Sequence, residues 1–224
     1  MKDLLVAAIE TTGPAGSVAL LRGESVLGEE ALGDGTTHGA ALHPALERLL
    51  KAAGVTAKDL GLVVAGTGPG SFTGMRVGVG AARSLAFAVG CPVVGVPSFD
   101  ALAVEGSSVS AVRDARKGDV YFALYGPKRE SLVAPCRRET AAAAASLPPG
   151  CLVLGEFRVD VAALAKAPGV RAGSAEESLV RASILGRLGL RAFLRDGAPP
   201  PETVLPLYLQ EPLAVKKGEG VRGG

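Results

Sequence analysis

The stretch LLVAAIETTGPAGSVALLRGE, residues 4–24, decides the fold, because SSVSAVRDARKGDVYFALYGP, residues 107–127, repeats its plan. Each has an apolar run, an acid, a short turn and a second apolar run. TTGPA is a cluster of turn formers between strand-like segments, so the first stretch reads as a β-hairpin. Glu10 falls against Asp114, and the return strands at Val18 and Val120 begin eight and six residues later. Two halves that each open with strand, acid, turn and strand suggest a duplicated unit.

Outward from the first hairpin, SVLGEEAL (25–32) offers a third strand and residues 38–53 a helix, with Leu42, Leu46, Leu49 and Ala53 on one stripe and Gly54 as its stop. LGLVVAGT is a buried strand, 72–89 a helix and CPVVGVPS (91–98) another strand. Strands alternating with helices predict an α/β fold with parallel pairing in its middle. The second half is thinner: a short helix at TAAAAAS, a strand at 150–156, and a helix over 174–197 opened by Ser174 and Glu177 in capping-box spacing. Residues 1–102 and 103–224 are expected to be the two lobes, the second reduced and its proline-rich tail packing back on the first. The last residues are expected to fray.

Hydrophobic residues make up 48% and charged residues 21% of 224 positions, which describes a folded chain with a sizeable core. A net charge of +2, from 24 basic and 22 acidic residues, is too balanced for a protein that grips a polyanion alone. Arg113, Arg116 and Lys117, with Arg137 and Arg138, are the notable basic groups and read chiefly as solvated surface. Cys91, Cys136 and Cys151 are odd in number and lack a CxxC pair, which fits a reducing compartment. With no signal-peptide pattern at MKDLLVAAIE and no apolar segment of spanning length, a cytoplasmic protein is expected.

GTGPGSFTGMRVG, Gly66–Gly78, sits between a strand and a helix, where a glycine-rich turn can cradle phosphate. No lysine lies between Lys58 and Lys117, so a Walker loop fails, and the GxGxxG spacing breaks at Thr73. On a helical plot Arg76 and Arg83 share one narrow stripe, while Met75, Val77, Val79, Ala82, Leu85, Ala86 and Val89 fill most of the rest. Gly70, Gly74, Gly78 and Ala82 recur every fourth residue, and a helix-interior glycine costs about 1 kcal/mol against alanine, so the row needs a packing reason. Either the helix is wholly buried in its own domain, or it is sandwiched between its own sheet and another subunit.

Catalytic candidates are few. His38 and His43 point roughly 140° apart on a regular helix and would not share a metal. There is no GxSxG elbow. Glu10, with Thr11 and Thr12 beside it, and Asp114 sit at the two hairpin mouths, where a pair of acids facing one cleft could hold magnesium and phosphate. Neither hairpin is rich in glycine.

AIETT and GSVAL, the block GTGPGSFTGMRVGVGAARSLAFAVGCPVVGVPSFDAL, VRDARKGDVYFALY and PLYLQ together resemble the TsaB (YeaZ) family, over nearly the whole chain. The resemblance implies the two-lobed fold of actin, Hsp70 and sugar kinases, with duplicated mixed-sheet lobes. It implies a non-catalytic partner in forming N6-threonylcarbamoyladenosine (t6A) in tRNA. A TsaD subunit carries the catalysis and a TsaE ATPase joins them. The family pairs with TsaD through the first two helices, which here points to His43, Leu46, Leu50, Gly70, Gly74, Met75, Gly78, Val79 and Ala82. The same face would give a homodimer without TsaD, ATP or ADP could sit at the subunit junction, and tRNA would be met only through the complex. No HxxxH is present, matching a relative of TsaD that lacks its histidine pair. Glu10 replaces the usual aspartate, Gln210 stands where arginine is common, and THGAALHPAL is looser than the family pattern. The competing expectation is a stand-alone phosphotransferase or peptidase using the Glu10–Asp114 cleft.

Overall fold

A computed structural model describes residues 3–34, 38–155, 164 and 169–209. The first sheet contains β1 (Leu5–Glu10), β2 (Ala15–Arg22), β3 (Ser25–Asp34), β4 (Leu62–Gly66) and β5 (Val93–Val96), in the order β3-β2-β1-β4-β5. The second contains β6 (Val109–Asp114), β7 (Asp119–Tyr125), β8 (Ser131–Glu139), β9 (Leu152–Gly155) and β10 (Arg171–Ala172), in the order β10-β9-β6-β7-β8. β1 pairs antiparallel with β2 and parallel with β4, and β6 does the same with β7 and β9. The sheets are two copies of one plan. Glu10 closes β1 as Asp114 closes β6.

Every residue of β1 is buried, because helices cover both faces of its sheet. Alternation splits the strand between two cores. Leu5, Ala7 and Ile9 meet α1 (His38–Ala52) and α2 (Phe72–Val89) through Leu42, Leu46, Leu49, Val79 and Ala82. Val6 and Ala8 face the other way, into a core shared with α4 (Ala182–Asp196) and with Ala111, Tyr121 and Ala123 of the second sheet. The short helix α3 (Thr140–Ala145) lies on the second sheet's remaining face, where Ala143 and Leu147 pack with Phe122 and Val153.

Three expectations are corrected here. The division at 102/103 does not hold for α4, which packs on β1, β2 and β4 of the first sheet. Methyl groups built on its Gly186 and Gly189 would meet Leu21 and Val64, so glycine lets that helix sit close. The second sheet is not reduced in strand number, since β8 and β10, unforeseen from the sequence, complete it. The helix expected from 174 begins at Ala182. The capping pair forms, with Ser174 N donating to Glu177 Oε2 at 2.7 Å and Glu177 N to Ser174 Oγ at 3.2 Å, but it closes only an isolated turn. Val180, buried just beyond, ties the intervening chain into the shared core. Gln210 and the tail end fall outside the described residues.

Candidate functional site

The mouth of the first hairpin is a closed polar knot. Glu10 is fully buried, and its Oε1 accepts from the Thr12 backbone N–H and hydroxyl, both at 2.5 Å. Its Oε2 accepts from Ser98 Oγ at 2.7 Å, and Ser98 Oγ in turn accepts from Gly68 N at 3.1 Å. Gly66 must be glycine, because a methyl group there would run into the Glu10 carboxylate. Gly68 holds φ at 107°, which favours glycine. Thr11 turns the other way, and its hydroxyl donates to Gly74 O at 2.7 Å.

Across the seam between the lobes, the residue that reaches this knot is Arg113. Its Nη1 donates to Thr12 Oγ1 at 2.9 Å and to the Pro69 carbonyl at 2.7 Å, and its guanidinium carbon lies 5.5 Å from the Phe99 ring centre. Asp114, next along β6, points the opposite way into solvent, where its Oδ1 accepts from Arg116 N at 2.7 Å. The expected pairing of Glu10 with Asp114 across one cleft is therefore corrected. Alternation along β6 sends the arginine inward and the acid outward. A magnesium–nucleotide does not fit the mouth: Glu10's oxygens already serve three donors, and Arg113 fills the space where Gly13 and Gly70 approach. Among the described residues no group of three or more His, Cys, Asp or Glu could hold a metal ion. Sequence reasoning counted Arg113 with the surface cations. The available signal was its place in VSAVR, an inward register of a buried run.

The helix that follows the glycine loop starts at the Ser71 N-cap, whose Oγ accepts from Gly74 N at 3.2 Å, and ends at Gly90 with φ 75°. Its glycine row faces inward. A methyl group on Gly70 would strike Thr12 O, one on Gly74 the Thr11 carbonyl, and one on Gly78 the Thr11 hydroxyl. Met75, Val79, Ala82 and Ala86 are buried on the same side. The row is the bed for the chain's own β1 end, which corrects its reading as a groove for another helix. Leu46 and Leu50 of α1 are likewise core residues. Of the nine positions expected to meet a partner, His43 alone is exposed. Its neighbour His38 is buried, with Nε2 accepting from Gly16 N at 3.0 Å.

The outward side of α2 carries Thr73, Arg76, Gly80, Ser84, Phe87 and Ala88, with Val77 and Ala81 half-buried. Phe87 is 91% exposed. Space around Gly80 is open, with none of the described residues within 4 Å of a Cβ built there. At the helix's first turn the chain's own later segment returns. Tyr208 stacks at 5.2 Å on Phe72 and accepts from Arg76 Nε at 2.8 Å, while Leu207 N donates to Thr67 O at 2.8 Å. Val204 sinks into the first sheet's core. Among the described residues no contact of this kind reaches Gly80 or Phe87.

Residues 35–157 match the family model described as TsaD: tRNA N6-adenosine threonylcarbamoyltransferase. The Bacillus subtilis (strain 168) protein named tRNA threonylcarbamoyladenosine biosynthesis protein TsaB is 35% identical over 126 residues, covering 54% of this chain and 55% of that protein. The solved structure of YeaZ from Pseudomonas aeruginosa superposes with a TM-score of 0.79 at 28% identity, over 92% of this chain and all of that one.

The chain belongs to the TsaB (YeaZ) family. It spans about half the length of the curated relatives it matches. A further structure, described as an uncharacterized protein with similarity to peptidase YEAZ from Pseudomonas aeruginosa, shares the TsaB fold at a TM-score of 0.77 and 28% identity. The two-lobed, duplicated α/β architecture expected of a TsaB protein is the one present. No helix among the described residues is long and apolar enough to cross a membrane.

Proposed function

We propose that this chain serves t6A formation in tRNA as an accessory subunit that binds a TsaD-type catalytic protein through the outward sides of α1 and α2. The naming of its relatives supports the tRNA-modification role. The single observation that carries the binding mode is Phe87, a ring 91% exposed on a helix face that also carries the small residues Gly80, Ser84 and Ala88. Such a ring beside Gly80, Ala81 and Ala88 is the kind of apolar patch that a partner covers. α1 lies alongside, with Gly39 against Val77, and extends the patch to His43. A TsaE-type ATPase completes the assembly, tRNA is met through the complex, and the same face self-associates when TsaD is absent. Any ATP or ADP belongs at the subunit junction rather than in the hairpin mouth, which Arg113 fills.

Reconstitution tests this. With TsaD- and TsaE-type subunits and substrate tRNA, the wild-type chain should support t6A formation, and Gly80→Arg should lose most of it while keeping its circular dichroism and thermal midpoint. Full support by a folded Gly80→Arg chain would contradict the proposal. A second reading, a stand-alone phosphotransferase or peptidase, draws on the peptidase-like description of one structural neighbour. Tight magnesium–ATP binding by the isolated chain, lost in Glu10→Gln, would favour it.

A further inference from the structure

Far from the Glu10 knot, at the other end of the strands, a cavity of about 450 Å³ opens between the lobes. Strand register fixes its position. Glu10 pairs with Ser17 beside the first hairpin turn, whereas Leu5 pairs with Arg22 at the opposite end, next to Glu24. Val109 and Tyr125 pair at the corresponding end of the second sheet, next to the turn that carries Arg129. Ala101, Ala103 and Val104, in the connection between the lobes, form one wall, and Ile184 and Leu188 of α4 form another. The volume lies in the range of small-molecule sites.

The polar lining is cationic: Arg129, Arg187 and Arg191 stand against one acid, Glu24. Arg191 takes that acid completely, with Nε on Oε1 at 2.7 Å and Nη2 on Oε2 at 2.8 Å. Arg187 uses its Nε on the Glu24 carbonyl at 2.9 Å, so its terminal N–H groups have no partner among the described residues. Arg129 makes no ion pair among them either, because its neighbour Glu130 is turned onto Lys128 N at 2.8 Å. Arg129 also holds φ at 63°, a left-handed conformation that is sterically unfavourable for a non-glycine residue. Strain of that kind concentrates where a side chain's direction matters.

We propose that this cavity binds a small dianionic phosphate ester, with the phosphate between Arg129 and Arg187 and the ester's apolar body on Ile184, Leu188 and Val104. Planar guanidinium forks match phosphate oxygens two at a time, and the two positive charges in excess match a phosphate monoester above its second pKa of about 6. Because α4 belongs to the first sheet and Arg129 to the second, the ligand bridges the lobes at the end that Arg113 does not reach. This site is separate from the α1–α2 face, so its failure and the failure of the partner-binding proposal are distinguishable.

The test uses phenyl phosphate, inorganic phosphate and phenol as probes, titrated calorimetrically into the full chain at pH 7.5 and low salt. One site is expected for phenyl phosphate, at least tenfold tighter than for inorganic phosphate, with none for phenol. Arg129→Gln and Arg187→Gln should each weaken it tenfold or more, and Arg129→Gln, in an exposed turn, should keep both its ligand-free thermal midpoint and its association with a TsaD-type subunit. At ten times Kd the wild-type midpoint should rise by about 3–6 °C. Absence of binding at millimolar phenyl phosphate, equal affinity for inorganic phosphate, or undiminished binding by Arg129→Gln would each overturn the proposal.

Discussion

Arg113 of the second lobe donates to the hydroxyl of Thr12 in the first at 2.9 Å, and that hydroxyl in turn donates a hydrogen bond to Glu10 Oε1. A position that could have taken a phosphate is thus occupied by a tie between lobes. Arg113→Met keeps the bulk and removes the donors, leaving Thr12 and the Pro69 carbonyl unserved in a buried site. The expected loss is about 2–4 kcal/mol of unfolding free energy, read from urea denaturation. A variant within 0.5 kcal/mol of wild type, inside the usual range for surface substitutions, would remove Arg113 from this role.

The glycines of α2 should separate by face. Gly74→Ala and Gly78→Ala push a methyl group into Thr11, which is fixed by its bond to Gly74 O, and each should destabilise by more than about 2 kcal/mol. Gly80→Ala enters open space and should gain up to about 1 kcal/mol from helix propensity. Thermal denaturation of the three variants reads the contrast directly.

How much of this was legible in the sequence follows from which signals are local. The hairpins, α1 and the span 72–89 came from periodicity and turn residues, and the match of Glu10 with Asp114 predicted the duplication that the sheets display. The resemblance added a family that pattern alone could not. The sequence plot found that α2 has too little polar surface, yet not which side is covered, because the β1 end that the glycines accept lies about sixty residues away in sequence. Arg113 was misplaced for a related reason: its neighbour Asp114 looked like the functional residue, and inward or outward register is set by pairing with β7. β8 has mixed exposure and so no clean alternation to detect. The placement of α4 on the first sheet is a topological fact with no local signature.

Asp100, in the connection between the lobes, accepts from the Tyr125 hydroxyl at 2.7 Å, and burial pushes its carboxyl above the ordinary carboxylate range despite that bond. A raised pKa in the folded state means that the native protein holds the proton longer. Stability from this group is therefore present at low pH and lost as pH rises from the ordinary value of about 3.9 through the folded one. Asp100→Asn, which can still accept from Tyr125, should remove that slope and leave the chain at least as stable at pH 7. Urea midpoints across pH 4 to 7 provide the comparison.

Tyr208 straps the returning segment to the first turn of α2 through Phe72 and Arg76. Tyr208→Ala should release that segment at a cost of about 1 kcal/mol. Amides of Leu205, Leu207 and Leu209 should exchange faster, while those of β1 and β4 stay protected. Unchanged exchange at Leu207, whose N–H is held by Thr67, would mean that the strap depends on Val204 instead.

The central claim is that the outward side of α2, and not its glycine row, is the surface another chain covers. Light scattering on mixtures with a TsaD-type subunit tests it most directly, comparing wild type, Phe87→Glu and Gly80→Arg. The wild-type mixture should run at the mass of a heterocomplex, and both variants should run as separate, folded components. A heterocomplex of undiminished mass and affinity with both variants would contradict the account.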